Sequence, residues 1–317
     1  MVDEGEQLDL FDENPGAVRP LPWAELAGRH PLAGVAPPPG LYLGTSSWSF
    51  PGWDGLLFDG AYKEARLAAD GLAAYAACPL FRSVSLDKSY YRPPQEEEYV
   101  RLASQVPDDF RFVVKAPRDL LVPDPRDGFD RAGLERFFLG PATRGLGPKL
   151  GVVLLQFPPG AFRAVGSPEG FLNHLAPLLQ ALPTELAYSL ELRDSELLGP
   201  RLHQAMRDTS VSLCASVHPK LPGPDRQLLT VPPTPGVPIV VRWNLRPSLG
   251  YQEAKDDFSP FNALKSPDLS RRDLLAHLIA RALKAGRKVY ATANNKAEGC
   301  APLSLRSLLD EVWRKLS

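Results

Sequence analysis

The sequence has little of several features that would indicate a function directly. It contains 3 cysteines and 5 histidines in 317 residues. Cys78, Cys214 and Cys300 are scattered and form no CxxC or Cys/His spacing, which excludes a recognisable zinc motif and predicts a protein of the reducing cytoplasm. No histidine pair has metal-ligand spacing, so we expect no metal.

Other familiar signatures are also missing. No GxGxxG fingerprint or Walker loop follows a predicted strand, which argues against a nucleotide cofactor, and the serines lack a GxSxG setting. We therefore expect no cofactor. No apolar run is long enough to cross a bilayer, and the acidic amino terminus does not resemble a signal peptide, so the sequence predicts no membrane association.

The net charge of −1 is unevenly distributed. The first fourteen residues hold six acidic residues and no basic ones, and the remainder has 36 basic against 31 acidic residues. An excess of about five positive charges over such a length is too small to predict a nucleic-acid groove.

Short apolar runs recur along the chain, and most end in polar residues. Near-continuous Val/Leu runs of this kind are typical of strands buried on both faces of a parallel sheet. The eight runs are 41–48, 81–89, 110–117, 150–158, 186–194, 210–218, 238–244 and 288–295.

Helical patterns separate most of these runs, and only the connection after the sixth run lacks a clear one. The alternation predicts a (β/α)8 TIM-type barrel, one α/β domain spanning 41–317, with an open doubly wound sheet as the alternative. Residues 1–40 form an acidic and then proline-rich amino-terminal extension, which is either flexible or folded back on the barrel. The predicted helices cover 64–77, 96–104, 130–139, 168–182, 271–285 and a last segment around Leu305 to Trp313.

In a barrel of this class, function resides at the carboxyl ends of the strands. There Lys115, Arg193 and Arg242 could bind a phosphate or carboxylate. Alternatively, Asp87 and Glu191 could act as a general acid/base pair. Internal salt bridges among these same five residues are the structural alternative.

Further polar and aromatic residues are candidates at the same end. Trp48 and Tyr91 could stack on a sugar or base, and Trp53 could do the same, although anchoring of a loop is favoured for Trp53. The remaining candidate ligand-binding residues are amides: Gln156, Asn244, Asn294 and Asn295.

Several of these segments together resemble a known family, the domain-of-unknown-function 72 (YecE-like) family. The likeness covers about 41–316, and it implies a TIM-type barrel of unassigned biochemical role. The segments that carry it are Gly44-Thr45-Ser46-Ser47-Trp48-Ser49 with Trp53, Lys115-Ala116-Pro117, Leu155-Gln156-Phe157-Pro158, Glu191-Leu192-Arg193, Val241-Arg242, and Asn294-Asn295 with Ala301-Pro302.

The chain departs from the family pattern where proton-transfer groups would stand. The resemblance implies Glu-x-Asn at the second strand, where this chain has Ser85 and Asp87, and histidines at positions taken by Asp194 and Asn244. It also implies a Thr-His pair after Lys115-Ala116-Pro117, which is absent. The cations and amides are kept, so the sequence predicts binding of a small anionic, sugar or nucleotide-like ligand with reduced catalysis, while a hydrolase or lyase using Asp87 and Glu191 is the alternative.

The amino-terminal segment supplies a third hypothesis. Gln7-Leu8-Asp9-Leu10-Phe11 resembles the pentapeptide with which bacterial proteins bind the DNA sliding clamp. A short linear motif places apolar side chains in a partner's pocket, with the following proline-rich stretch 31–39 as a spacer. The resemblance implies an accessory factor of DNA maintenance, and the alternative is that Leu8, Leu10 and Phe11 pack on the protein's own barrel.

Overall fold

The strands of the protein are short, parallel and separated by helices along the chain. The computed structural model describes residues 17–245 and 249–317. All eight predicted runs contain strands. The nine strands of the described part are β1 (Leu41–Thr45), β2 (Ser83–Leu86), β3 (Arg111–Lys115), β4 (Leu150–Gln156), β5 (Tyr188–Glu191), β6 (Val211–Leu213), β7 (Ala215–Val217), β8 (Ile239–Trp243) and β9 (Val289–Ala293).

Helices cover the outside of these strands, and each predicted helical segment contains at least one. The connection after the sixth run, which shows no clear helical pattern, also contains one, Pro224–Thr230. The helices are α1 (Glu64–Asp70), α2 (Leu72–Ala76), α3 (Glu96–Ser104), α4 (Arg131–Leu134), α5 (Gly140–Leu146), α6 (Pro168–Gln180), α7 (Pro200–Met206), α8 (Pro224–Thr230), α9 (Tyr251–Phe258), α10 (Leu269–Lys284) and α11 (Ala301–Leu316), with a π-helical turn at Glu135–Leu139 between α4 and α5.

The strands form two parallel sheets, and among the described residues their hydrogen-bonded pairing does not close into the single eight-stranded sheet of the predicted barrel. Their orders are β1-β9-β8-β7 and β2-β3-β4-β5-β6. The predicted pairing of the first and last strands is confirmed, with Leu41 opposite Val289 and Thr45 opposite Ala293.

The hydrogen-bonded pairing of the strands is interrupted at two places. At each of them a side chain bonds to backbone groups that a neighbouring strand would otherwise bind. Between β1 and β2, the backbone N–H of Thr45 donates to the Tyr75 hydroxyl at 2.9 Å, and that hydroxyl donates to the carbonyl of Ser83 at 3.1 Å. Near β7, the Gln227 side chain accepts from Ser216 N and donates to Ser216 O. Backbone groups bonded to side chains cannot continue a ladder, so two sheets result.

The strands remain close across the first interruption. Arg82 N donates to Leu43 O at 3.1 Å. A Cβ on Gly44 would lie 2.2 Å from the Ser83 carbonyl oxygen, so only glycine permits this approach of β1 to β2.

Residues 17–40 lie against the rest of the protein. Leu32 is fully buried, Arg306 donates to the carbonyl of Pro31 at 2.8 Å, and Arg19 pairs with Asp59 at 2.8 Å. The folded-back alternative therefore describes residues 17–40, and within the predicted spacer 31–39 the side chains of Leu32, Ala33, Pro37 and Pro38 are buried. The pentapeptide Gln7–Phe11 lies outside the described residues.

Candidate functional site

Charged side chains from four strands meet at the carboxyl ends of the sheets. Side chains two residues apart on a strand share a face. Lys115 therefore continues the face of Val113, and Arg242 that of Val240; both valines belong to a small apolar cluster with Val152, Leu154, Cys214 and Tyr290. This face then ends in the "strand-end cluster": Asp87, Lys115, Glu191, Arg193 and Arg242.

Arg242 is the centre of this cluster. Its Nη1 and Nη2 donate to the two carboxylate oxygens of Asp87 at 3.2 and 3.0 Å, a bidentate arrangement. Its Nε lies 3.2 Å from Oε2 of Glu191. With 3% of its side chain exposed, Arg242 holds the two carboxylates in place and has little surface left for a ligand.

Glu191 is completely buried and binds several partners through one oxygen. Its Oε1 pairs with Nη2 of Arg193 at 2.6 Å and accepts hydrogen bonds from the Ser216 hydroxyl at 3.0 Å and the Asn244 amide at 3.1 Å. Among the described residues, Oε2 accepts no hydrogen bond, although Nε of Arg242 lies 3.2 Å from it.

Lys115 and Arg193 extend the cluster to either side. Nζ of Lys115 lies 3.3 Å from Asp87 Oδ2 and 5.0 Å from the centre of the Tyr90 ring. Nη2 of Arg193 donates to Gln156 Oε1 at 3.4 Å. The side chain of Asp87 is 28% exposed, so the cluster reaches the surface on the Asp87 side.

The charges of the cluster are unequal, with three cations and two carboxylates. Burial alone would raise the pKa values of Asp87 and Glu191, but Arg242 together with Lys115 or Arg193 holds both below their ordinary values. Burial lowers the pKa of Lys115. Both carboxylates are therefore ionised at neutral pH and act as acceptors of hydrogen bonds, not as acids.

His218 follows β7 beside this cluster. Burial, reinforced by Arg193, lowers its pKa to about 4. Its Nδ1 lies 3.3 Å from the backbone N–H of Lys220. A neutral imidazole whose Nδ1 accepts this bond carries its proton on Nε2, where it is a hydrogen-bond donor.

The other predicted site residues lie in different surroundings. Asn294 donates to the Ser46 hydroxyl at 2.8 Å, at the carboxyl ends of β1 and β9. Trp48 is buried, donates to Leu67 O in α1 and has Lys88 over its ring. Tyr91 is 76% exposed and packs edge-on against Tyr90. Asn295 is buried and accepts from the N–H of Ala301 at the start of α11, a capping contact.

Sequence reasoning missed three polar residues of the cluster's surroundings. Ser85 donates to Asp87 at 2.6 Å and accepts from Arg242, Ser216 donates to Glu191, and Gln227 of α8 holds the backbone of Ser216. Ser85 could have been found from strand alternation, because it precedes Asp87 by two positions. Gln227 carried no such signal, since it lies on a helix in a proline-rich connection.

Two further features bear on the type of site. Within residues 17–245 and 249–317, no group of three or more His, Cys, Asp or Glu side chains is arranged to hold a metal ion. None of the helices in the same ranges is long and apolar enough to cross a membrane.

Comparison with known proteins places the chain in a family. The family model described as "Protein of unknown function DUF72" matches residues 42–316, and the chain belongs to this family. No curated protein matches the sequence.

Solved structures of family members share the fold. The crystal structure of a DUF72 family protein (EF0366) from Enterococcus faecalis superposes with a TM-score of 0.61 at 19% identity, covering 86% of this chain and 95% of that one. A DUF72 family protein (TM1631) from Thermotoga maritima gives 0.58 at 21% identity, covering 86% and 99%. At these identities the likeness concerns the fold alone.

Proposed function

We propose that the protein binds a small anionic ligand, such as a phosphate- or carboxylate-bearing sugar or nucleotide fragment, at the strand-end cluster. The observation that carries the proposal is the excess of cations: three cations share two carboxylates at the carboxyl ends of the strands. A cluster with one positive charge in excess, in a partly desolvated setting, attracts an anion.

Lys115 and Arg193 are the residues that would contact the ligand. Among the described residues, Arg242 is engaged by two carboxylates, whereas Lys115 makes one ion pair and Arg193 one ion pair and one long hydrogen bond. Guanidinium and ammonium donors of this kind bind phosphate and carboxylate groups. The uncharged His218, Gln156 and Asn244 would add hydrogen bonds that orient a sugar or base.

General acid/base catalysis by Asp87 and Glu191 is less well supported. A general acid at neutral pH needs a raised pKa, and the cations lower that of each carboxylate. We therefore propose binding with reduced catalysis, and keep turnover by Asp87 or Glu191 as the alternative.

An amide-resolved NMR titration with inorganic phosphate tests the proposal. In the full chain, the backbone amides of Ser216, Asn244 and Asn294 should shift and saturate. Arg193→Met should weaken the apparent affinity roughly tenfold, because one charge-assisted contact is lost.

Arg144→Met is the matched control, since Arg144 also forms an ion pair with a glutamate, Glu96 at 2.7 Å, but outside the cluster. It should leave the affinity unchanged. Absence of saturable shifts at the three amides, or equal affinities in the two variants, would refute an anion site at the strand ends.

We also propose that the two sheets are the halves of one (β/α)8-type barrel. The support is the hydrogen bond from Arg82 N to Leu43 O and the apolar cluster in which residues of both sheets meet. β6 and β7 are separated by Cys214 alone and would count as one strand. A crystal structure in which β1 and β2 lie apart would contradict this arrangement.

A second proposal rests on the sequence of the amino-terminal segment. All five positions of Gln7-Leu8-Asp9-Leu10-Phe11 agree with the clamp-binding pentapeptide, which supports recruitment to a bacterial DNA sliding clamp. Full-length protein should bind a bacterial clamp in a titration, and Leu10→Ala/Phe11→Ala should not. Equal binding by both, or none at tens of micromolar, would contradict recruitment. We also propose a cytoplasmic location, which the three buried, free cysteines support.

A further inference from the structure

A polar cavity lies at the end of the sheets opposite the strand-end cluster. It has a volume of about 630 Å³ and opens among the residues that begin β3, β4, β8 and β9. A volume of this size suits a small-molecule ligand. The strand-end cluster contributes none of its lining.

The charges around this cavity are strongly positive. Arg111, Arg287 and Lys288 line it, against one carboxylate, Glu185. Within residues 17–245 and 249–317, the ion pairs include none of these three cations. The cavity therefore has about two positive charges in excess, more than the strand-end cluster.

The two arginines also retain hydrogen-bond donors. Arg111 Nη1 donates to the carbonyls of Asp108 and Phe110 at 2.6 and 2.9 Å, and Arg287 donates through Nη1 and Nη2 to Pro233, Thr234 and Val237. These contacts are with neutral carbonyls and fix the side chains without neutralising them. The Nε–H of Arg287 is buried and has no acceptor in the described part of the chain, a costly arrangement for a donor.

An aromatic wall completes the cavity. Tyr290 lines it and stacks on Tyr42, with ring centres 4.7 Å apart. Gly151 makes room for Tyr290, since a Cβ there would lie 2.9 Å from its hydroxyl oxygen. The wall supplies an apolar surface and a phenol next to the cations.

We propose that this cavity binds a small polyvalent oxyanion, carried by a phosphate- or polycarboxylate-bearing molecule, independently of the strand-end cluster. Arg111 and Arg287 are held in place by backbone carbonyls, and Lys288 is exposed at the rim. Multiple cations of this kind distinguish polyvalent oxyanions from chloride through summed charge and directed N–H donors.

Amide-resolved NMR with the full chain tests this site separately. Inorganic pyrophosphate and citrate serve as probes for phosphate and polycarboxylate ligands, with sodium chloride at equal ionic strength as the reference. The amides of Gly151, Gly236 and Gly286, which line the cavity, should shift and saturate with at least one probe. Lys288→Met should weaken that binding roughly fivefold.

Lys63→Met is the control, because Lys63 is an exposed lysine that does not line the cavity. Arg193→Met, which removes a cation from the other end, should also leave these three amides unaffected. No saturable shift with either probe, shifts that sodium chloride reproduces, or equal affinities in Lys288→Met and Lys63→Met would overturn the proposal. Because the two sites have different reporter amides, binding at one site can be refuted without refuting binding at the other.

Discussion

Two buried arrangements of arginine and carboxylate in the described part of the chain differ in how their charges are balanced. Away from the site, Nη2 of Arg272 donates to both oxygens of Glu298 at 2.9 and 2.8 Å. The backbone N–H of Asp268 adds a third bond to Glu298 Oε1 at 2.6 Å. One cation thus balances one carboxylate, and both carboxylate oxygens have donors.

The strand-end cluster lacks this balance. Within the described residues it has one cation in excess, three against two carboxylates. The Arg272–Glu298 pair joins the start of α10 to the loop after β9, which is a structural role. Nε of Arg272 is itself buried without an acceptor in the described part of the chain, so an unsatisfied polar atom does not separate the two arrangements. Burial of an ion pair therefore does not by itself mark a functional site, whereas unequal charge does.

The largest expected effect comes from removing the centre of the strand-end cluster. Arg242→Met leaves two carboxylates without the cation that they share, so the free energy of unfolding at pH 7.5 should fall by about 3–5 kcal/mol. Urea denaturation measures the loss.

The loss from Arg242→Met should shrink as the pH falls toward 5. In the wild type, the lowered pKa values of Asp87 and Glu191 contribute stability above their unfolded values of about 4. This contribution disappears only as the pH falls toward the folded values. Without Arg242, burial raises both pKa values, and protonation then relieves the unpaired charges. Arg242→Lys keeps the positive charge but not the bidentate guanidinium, so its free energy of unfolding should lie between those of the wild type and Arg242→Met. A loss in Arg242→Met that does not change with pH would mean that packing, not charge, dominates.

A smaller effect is expected for Arg272→Met. Glu298 loses its cation but retains the N–H of Asp268, so the free energy of unfolding should fall by about 2–3 kcal/mol, less than for Arg242→Met. The phosphate-induced shifts at Ser216 and Asn244 should be unchanged in this variant. Weakened phosphate binding would show that the two ion-pair groups are coupled, so they could not be compared as independent arrangements.

Sequence patterns predicted the parts of the fold that depend on local periodicity. The apolar runs gave the strands, and α3 begins and ends at the predicted residues, 96 and 104. The division into two sheets could not be predicted, because it depends on Tyr75 and Gln227, whose partners are 30 and 11 residues away.

The sequence predicted which residues make up the candidate site, but not which of them form ion pairs with one another. Asp87, Lys115, Glu191 and Arg242 each lie at or beside the carboxyl end of a strand, and parallel strands bring such residues together. Which oxygen each arginine binds depends on the stagger of the strands, which apolar patterns do not encode. Asn295 also follows a strand and was therefore a candidate ligand-binding residue. Its side chain instead accepts a hydrogen bond from the N–H of Ala301 at the start of α11.

The smallest expected effect, and the most specific to the strand-end cluster, is on the titration of His218. Burial and then Arg193 lower its pKa to about 4, below the unfolded value of about 6.5. The neutral ring is therefore favoured in the folded state, and His218 contributes stability near pH 7 that is lost as the pH falls through 6.5 toward 4. Proton NMR of the imidazole, assigned with His218→Gln, should show no protonation of this ring at pH 6. Arg193→Met should raise the pKa by removing a neighbouring positive charge, and Arg272→Met should not move it. A pKa near 6.5 in the wild type, or no change in Arg193→Met, would mean that the excess charge of the cluster does not affect the pKa of His218. The ligand site would then be smaller than the proposed one and would not include His218.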